Sequence, residues 1–222
     1  MATWLITGAN RGIGLEVTRQ LAARGDDVIA ACRSASKELD AMGGKVAVAT
    51  GVDVTSEAGI EALRAAVGTR KIDVLLHNAG IMVPFGLDAL DLDAMRKQYE
   101  VNAIGPIRLT KAFLDRLDAG SKVAIVSSRA GSIADNGSGG NYGYRMSKAA
   151  VNMGAVSLAR DLKPRGISVV VLHPGFIRTE LTGGHGNDDP PVAAKGLIAR
   201  VDELTPEQSG VFLHANGEAL PW

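Results

Sequence analysis

The 222-residue sequence predicts an α/β protein, a doubly wound parallel sheet of about seven strands flanked by helices. Three observations lead there. Short apolar, β-branched runs alternate with longer stretches of helical periodicity, the pattern of repeated βαβ units. One of those runs, Ile72–Leu76, reads as continuous in apolar character but for Asp73, as a strand covered on both faces should be. The glycine excess, 27 residues, follows no period and falls between the runs, where turns belong.

Taken in order, Ala2–Thr7 reads as the first strand, and a glycine-rich turn then opens a helix from about Gly12 to Arg24. Val28–Cys32 and Val46–Ala49 read as the second and third strands, and Glu57–Val67 as a helix. Ile72–Leu76 is the fourth strand, followed by one long helix from about Leu92 to Leu117. Val123–Val126 is the fifth, and a Gly/Ser-rich loop covers Ser128 to Asn141. A helix from about Tyr144 to Leu162 leads through Pro164 and Gly166 into the strand Ile167–Leu172. His173–Pro191 reads as irregular, and a short helix and the strand Val211–His214 finish the pattern. Right-handed crossovers assemble such units into one sheet, and no repeat or linker divides it into a second domain.

Lys plus Arg and Asp plus Glu are 24 each, so the net charge is zero. That balance argues against a polybasic nucleic-acid binder. A single cysteine, Cys32, excludes an intramolecular disulfide framework and suits a reducing compartment. No run reaches the length of a membrane span, and no signal-peptide pattern opens the chain. A cytoplasmic protein with no membrane partner is the expectation.

Gly8, Gly12 and Gly14 lie in Thr7-Gly8-Ala9-Asn10-Arg11-Gly12-Ile13-Gly14, between the first strand and the first helix. Such a turn allows close backbone approach to a pyrophosphate above a helix N-terminus, which makes the sheet Rossmann-type. A plain tight βα turn would also use these glycines. The second strand ends Ala31-Cys32-Arg33, without the carboxylate that would bind a ribose 2′-hydroxyl. Arg33, with Arg11 as a second cation, suits a 2′-phosphate instead, which points to NADP(H). Two solvated surface arginines would give the same sequence.

Tyr144 and Lys148 are four apart at a helix start and so share a face. An ammonium beside a phenol favours phenolate, which equips the tyrosine for proton transfer. Pro106 lies inside the long helix and frees the carbonyl of Asn102, four residues earlier. That carbonyl can serve water or substrate, or mark only a kink beside Gly105. Neither His185, His214 nor the Asp188-Asp189 pair has metal-ligand spacing, and no metal is expected.

These motifs, with His77-Asn78-Ala79-Gly80, Ser127-Ser128 and Pro174-Gly175 in order, resemble the short-chain dehydrogenase/reductase family over essentially the whole chain. Ser127–Asn136, Tyr144–Lys148 and the closing Leu220-Pro221-Trp222 are similar to its C-factor and sniffer-like carbonyl reductase branch, which is associated with NADPH. The resemblance implies a catalytic tetrad of Asn102, Ser128, Tyr144 and Lys148. In it Ser128 binds the substrate oxygen, Tyr144 delivers the proton, Lys148 holds the nicotinamide ribose and Asn102 binds a water. Ser127 and Ser132 are alternatives to Ser128, because the loop before Tyr144 is longer than in many members. It further implies cofactor contacts from Gly8, Asn10, Arg11, Gly12, Ile13 and Gly14, from Asp53 and Val54 at the adenine, and from Asn78, Ala79 and Gly80. Pro174, Gly175, Ile177 and Thr179 would cradle the carboxamide.

His77 departs from the family's usual asparagine and, like His173, reads as a structural residue. The expected reaction is reduction of a small ketone or aldehyde, with Met82, Val83, Ile133, Phe176 and Leu181 giving an apolar substrate side. Gly183–Asp189 reads as a lid or a plain surface loop. A non-catalytic NADP(H)-binding signalling protein of C-factor type is the alternative, and a sugar-nucleotide epimerase ranks last. Residues 1–120 would form the cofactor half and 121–222 the catalytic half. Family habit implies a homodimer or homotetramer through the long helix and the Tyr144 helix.

Overall fold

All seven strands pair in parallel, in the order β3-β2-β1-β4-β5-β6-β7. The computed structural model describes residues 1–222, the side chain of Lys45 excepted. The strands are β1 (Thr3–Thr7), β2 (Asp27–Ala31), β3 (Val46–Ala49), β4 (Val74–His77), β5 (Lys122–Val126), β6 (Ser168–His173) and β7 (Val211–His214). The helices between them are α1 (Gly12–Arg24), α2 (Lys37–Asp40), α3 (Glu57–Val67), α4 (Leu92–Tyr99), α5 (Gly105–Ala112), α6 (Tyr142–Leu162) and α7 (Pro190–Glu203). The chain leaves β1 toward β2 on one side and β4 on the other, so the strand order reverses beside β1. A crevice opens there at the carboxyl ends of the strands, where ligands of such sheets bind.

Two apolar layers sandwich the sheet, one from each set of alternating strand residues. Leu5, Leu75, Val123 and Val171 pack under Leu63 of α3, Leu109 of α5 and Val151 of α6. Trp4, Ile6, Leu76 and Val170 face Val17 and Leu21 of α1 and Leu197 and Val201 of α7. Strands buried on both faces account for the unbroken apolar runs. The helix starts are locally specified. Ser56 accepts from the Gly59 N–H at 3.0 Å ahead of α3, and Asp91 accepts from the Ala94 N–H at 2.9 Å ahead of α4. Gly25 closes α1 in the left-handed conformation at φ 92°.

The long helix expected over Leu92–Leu117 runs without a gap from Leu92 to Ala112 but carries a π-helical turn and ends five residues early. A π-helical segment, Glu100–Ile104, separates α4 from α5, with the Gly105 N–H donating back to the Glu100 carbonyl. Pro106 has no N–H to continue the α-helical ladder, and the widened turn absorbs the mismatch. α5 stops at Ala112, where Arg64 donates to the Ala112 carbonyl and Arg165 to those of Leu114 and Leu117. Two further elements differ from expectation. α2 is an unforeseen single turn, capped by Ser36, which accepts from the Leu39 N–H at 3.2 Å. α7, expected to be short, runs 14 residues from Pro190, whose fixed φ suits the first helical position.

Candidate active site

The site grows from the ends of β1 and β4. The Thr7 hydroxyl accepts from the Asn78 and Ala79 N–H groups at 3.2 and 3.1 Å, which ties the two strand ends together. Asn78 in turn donates its side-chain amide to the carbonyls of Thr7 and Gly8, both at 3.1 Å. Gly8 turns at φ 66°, and a Cβ there would lie 2.9 Å from Ala79 Cα. Gly14 seats α1 so closely that a Cβ would collide with the Gly8 carbonyl oxygen and the Asn78 amide. Arg11, at the N-cap, is extended and offers no side-chain cap, and the first turn holds no acidic residue. The first N–H groups and the positive end of the helix dipole are therefore left for an anion.

From this turn a cavity of about 900 Å³ runs to Tyr144 and Lys148 on α6. It sits at the upper end of the range for small-molecule sites, roughly 300–1,000 Å³. Gly8, Asn10, Arg11, Gly12 and Ile13 line it, as do Arg33, Asp53, Val54, Asn78, Ala79, Gly80, Pro174 and Thr179. Gly14, Gly175 and Ile177 do not. Gly14 is a packing position, Gly175 is a turn at φ 99°, and Ile177 is buried where it bridges Asp188.

The two arginines stand differently. Arg33 is exposed and forms no ion pair among the described residues, whereas Arg11 reaches across to Glu180 in an ion pair. Asn10 donates to the Ser34 carbonyl at 2.9 Å and so holds the glycine turn against the segment carrying Arg33. Asp53 accepts from the Thr55 N–H and hydroxyl at 2.8 and 2.7 Å, and these bonds hold its carboxyl below the usual range.

At the other end, the Ser128 hydroxyl lies beside the Tyr144 phenol and accepts from the Ala130 N–H at 3.1 Å. The neighbouring serines are committed elsewhere. Ser127 donates to Asn152 Oδ1 at 2.6 Å, and Ser132 accepts from the Asp135 N–H at 3.1 Å. Ser127 lines the cavity, whereas Ser128 and Asn102 do not. Asn102 lies buried in the π-helical segment, where its amide exchanges hydrogen bonds with the Ile81 backbone, both at 2.9 Å, and donates to Ser147 Oγ at 3.0 Å. Ser147 donates to the Tyr144 carbonyl at 2.8 Å, so Asn102 braces the α6 turn that carries Tyr144. Gly80 lets this cluster close up, since a Cβ there would stand 3.3 Å from Asn102 Oδ1 and 3.8 Å from Lys148 Nζ.

Lys148 is buried, donates to the Val126 carbonyl at 2.9 Å, and sits 5.7 Å from the Tyr144 ring centroid. Burial holds its ammonium down to about 8. The expected lowering of the tyrosine pKa meets an opposing effect. Burial pushes the phenol up, and the nearby Ser128 hydroxyl only partly offsets that. His77 is buried, hydrogen-bonded to the Thr110 hydroxyl at 2.8 Å and held down to about 3, so it is neutral. His173, also held down to about 3 by burial, packs edge-on to His214.

Sequence reasoning passed over Thr7, Ser147 and Asn152. Asn152 had a usable signal, since it lies one helical turn beyond Lys148 on the same face. The Gly183–Asp189 stretch, read as a lid or a plain surface loop, is laced by internal bonds. Arg178 pairs with Asp189 at 2.7 Å and donates to the Gly186 carbonyl at 2.7 Å, while the Gly184 N–H donates to the Thr179 carbonyl at 2.8 Å. Val83, Ile133, Phe176 and Leu181 are exposed apolar side chains, and Leu181 also lines the cavity.

Residues 2–189 match the short chain dehydrogenase family. The chain is 46% identical, over the full length of both proteins, to 1-hydroxy-2-glutathionyl-2-methyl-3-butene dehydrogenase of Rhodococcus sp. (strain AD45). It is 41% identical to the C-signal of Myxococcus xanthus over 69% of this chain and 95% of that one. The NADPH-bound carbonyl reductase from chicken fatty liver superimposes with a TM-score of 0.91 at 29% identity, covering 100% of this chain and 99% of that one.

Proposed function

The chain belongs to the short chain dehydrogenase family, and on that premise we propose that it is an NADP(H)-dependent oxidoreductase reducing a small, apolar ketone or aldehyde to its alcohol. One observation carries this reading: a cavity that joins an uncapped glycine turn to Tyr144 and the buried Lys148, with Ser128 beside the tyrosine. The residues present fit a dinucleotide. Its diphosphate would lie on the α1 N-terminus, close to the Gly8 and Gly12 backbone. Arg33 would meet the 2′-phosphate with Arg11, and Asp53 and Val54 the adenine. Asn78, Ala79, Gly80, Pro174 and Thr179 would border the nicotinamide end. When bound, the nicotinamide supplies the hydride for reduction and accepts it in oxidation.

The chain's own residues do the rest. Ser128 and Tyr144 each donate a hydrogen bond to the substrate oxygen, where negative charge develops. One such donor is worth roughly 3–4 kcal/mol of barrier. Tyr144 gives up its phenolic proton to that oxygen. Lys148 holds positive charge beside the resulting phenolate and binds the ribose hydroxyls, and Asn102 keeps the α6 turn in place. In the reverse direction the phenolate takes the proton of an alcohol, the class of substrate named for the Rhodococcus relative. The exposed Tyr99 and Met153, around a groove with Ile104 and Ile107 between α5 and α6, support a homo-oligomer formed through these helices.

A second reading, a non-catalytic NADP(H)-binding signalling protein, is favoured by the identity to C-signal. Turnover separates the two. Purified protein with NADPH and a panel of aldehydes, ketones and diketones is expected to consume NADPH, and Tyr144→Phe to lose at least 100-fold in kcat while still binding cofactor, as expected for a general acid. Binding without turnover across the panel, unaffected by the substitution, overturns the reductase reading in favour of the signalling one.

A further inference from the structure

Beyond β7 the chain folds back on the sheet edge. The His214 N–H donates to the Glu218 carbonyl at 2.8 Å, Leu213 bridges Ala219 antiparallel, and the Leu220 N–H donates to the Phe212 carbonyl at 2.8 Å. Leu220 is buried by this return. Trp222 comes to rest on Phe212, with ring centroids 5.3 Å apart and planes 24° from parallel. The Trp222 carbonyl accepts from the Ala134 N–H at 3.0 Å. The same return strand reaches the other end of that loop, because Arg129 pairs with Glu218 at 3.2 Å and with Asp135 at 3.3 Å. The segment between, 129–135, begins immediately after Ser128.

On its inner side this segment already has a rigid seat. Gly131 packs so tightly that a Cβ would lie 2.7 Å from the Lys148 backbone carbon, and Asn152 donates to the Gly131 carbonyl at 3.3 Å. The inner contacts fix the segment to α6, and the outer ones fix it to the return strand. Trp222 lines no part of the cavity.

We propose that Trp222 is a positioning residue for the carbonyl-binding side of the site. Through its stack on Phe212 and its bond to Ala134, it fixes the segment that carries the chain away from Ser128, and so sets how well substrate, but not cofactor, is held. The proposal rests on the reductase reading above. Freeing one end of the segment loosens the alignment of the Ser128 donor, and a misplacement of about 1 Å near a reacting centre can cost as much as 100-fold.

The test compares wild type, Trp222→Ala and Trp222→Phe, with 2,3-hexanedione and benzaldehyde as probes. NADPH affinity is read by cofactor fluorescence, and amide exchange over 129–136 by mass spectrometry. Trp222→Ala is expected to raise the KM of both probes about tenfold, to leave the NADPH Kd within twofold, and to speed exchange in 129–136 but not in the glycine turn. Trp222→Phe, which keeps a stacking ring, is expected to recover most of the loss. Unchanged KM in Trp222→Ala, or parallel losses of NADPH affinity and substrate KM, would overturn the proposal. Wild type without turnover on any probe speaks against the reductase reading itself, and the exchange pattern then still decides whether Trp222 holds the segment.

Discussion

Lys148 carries a titration whose sign can be worked out. Its ammonium is held down to about 8 by burial, against 10.5 for a free lysine. If that ammonium supports the phenolate and binds substrate complexes, kcat/KM for reduction is expected to fall as pH rises through about 8. Stability moves the other way. Between about 8 and 10.5 the unfolded chain binds the proton that the folded lysine has lost, so this group's contribution to stability rises with pH. Denaturant titrations and rate profiles at pH 7 and 9.5 check both, and Lys148→Met is expected to remove the stability rise. Activity and stability rising together across that interval would exclude Lys148 as the group responsible. At this scale the helical pair Tyr144 and Lys148 was legible because four-residue spacing fixes a shared face. The role of Ser127, Ser128 or Ser132 was not, since it depends on loop geometry: Ser127 lines the cavity but donates to Asn152, and Ser128 stands beside Tyr144. Nor could sequence pair Arg11 with Glu180, which is 169 positions away.

Helices and strands were legible where local chemistry specifies them. α1, β3, α3 and β7 match expectation in their residue ranges, because caps, glycines and continuous apolar runs mark their limits. The Leu92–Leu117 stretch is helical to Ala112, and only its π-helical turn went unseen, because apolar periodicity survives one residue added to the ladder. α1 offers a sharp test of packing against propensity. Gly14→Ala would gain up to about 1 kcal/mol of helix propensity at an exposed site. Here the added methyl meets backbone and a fixed amide, and overpacking of that kind costs roughly 1–3 kcal/mol. Denaturant unfolding is expected to show net destabilisation with weakened NADPH binding. Gly154→Ala in α6, which meets only the tip of Ile107, is expected to be close to neutral.

For the molecule as a whole, the order of seven parallel strands puts the reversal point beside β1, and the cavity follows from it. The fold was readable because βαβ alternation and right-handed crossovers leave few arrangements. The substrate was not, since of the apolar residues expected to face it only Leu181 lines the cavity, beside the charged Arg11 and Glu180. The central claim is that this cavity brings a nicotinamide and a carbonyl group together for hydride transfer. The most direct measurement incubates the protein with NADPH deuterated at the transferring C4 position and an aldehyde of the panel, then weighs the product. Hydride transfer in this cavity is expected to give an alcohol one mass unit heavier, with deuterium on the former carbonyl carbon and none formed by Tyr144→Phe in the same time. Alcohol formed without the label, or cofactor bound with no alcohol formed from any carbonyl offered, would contradict it.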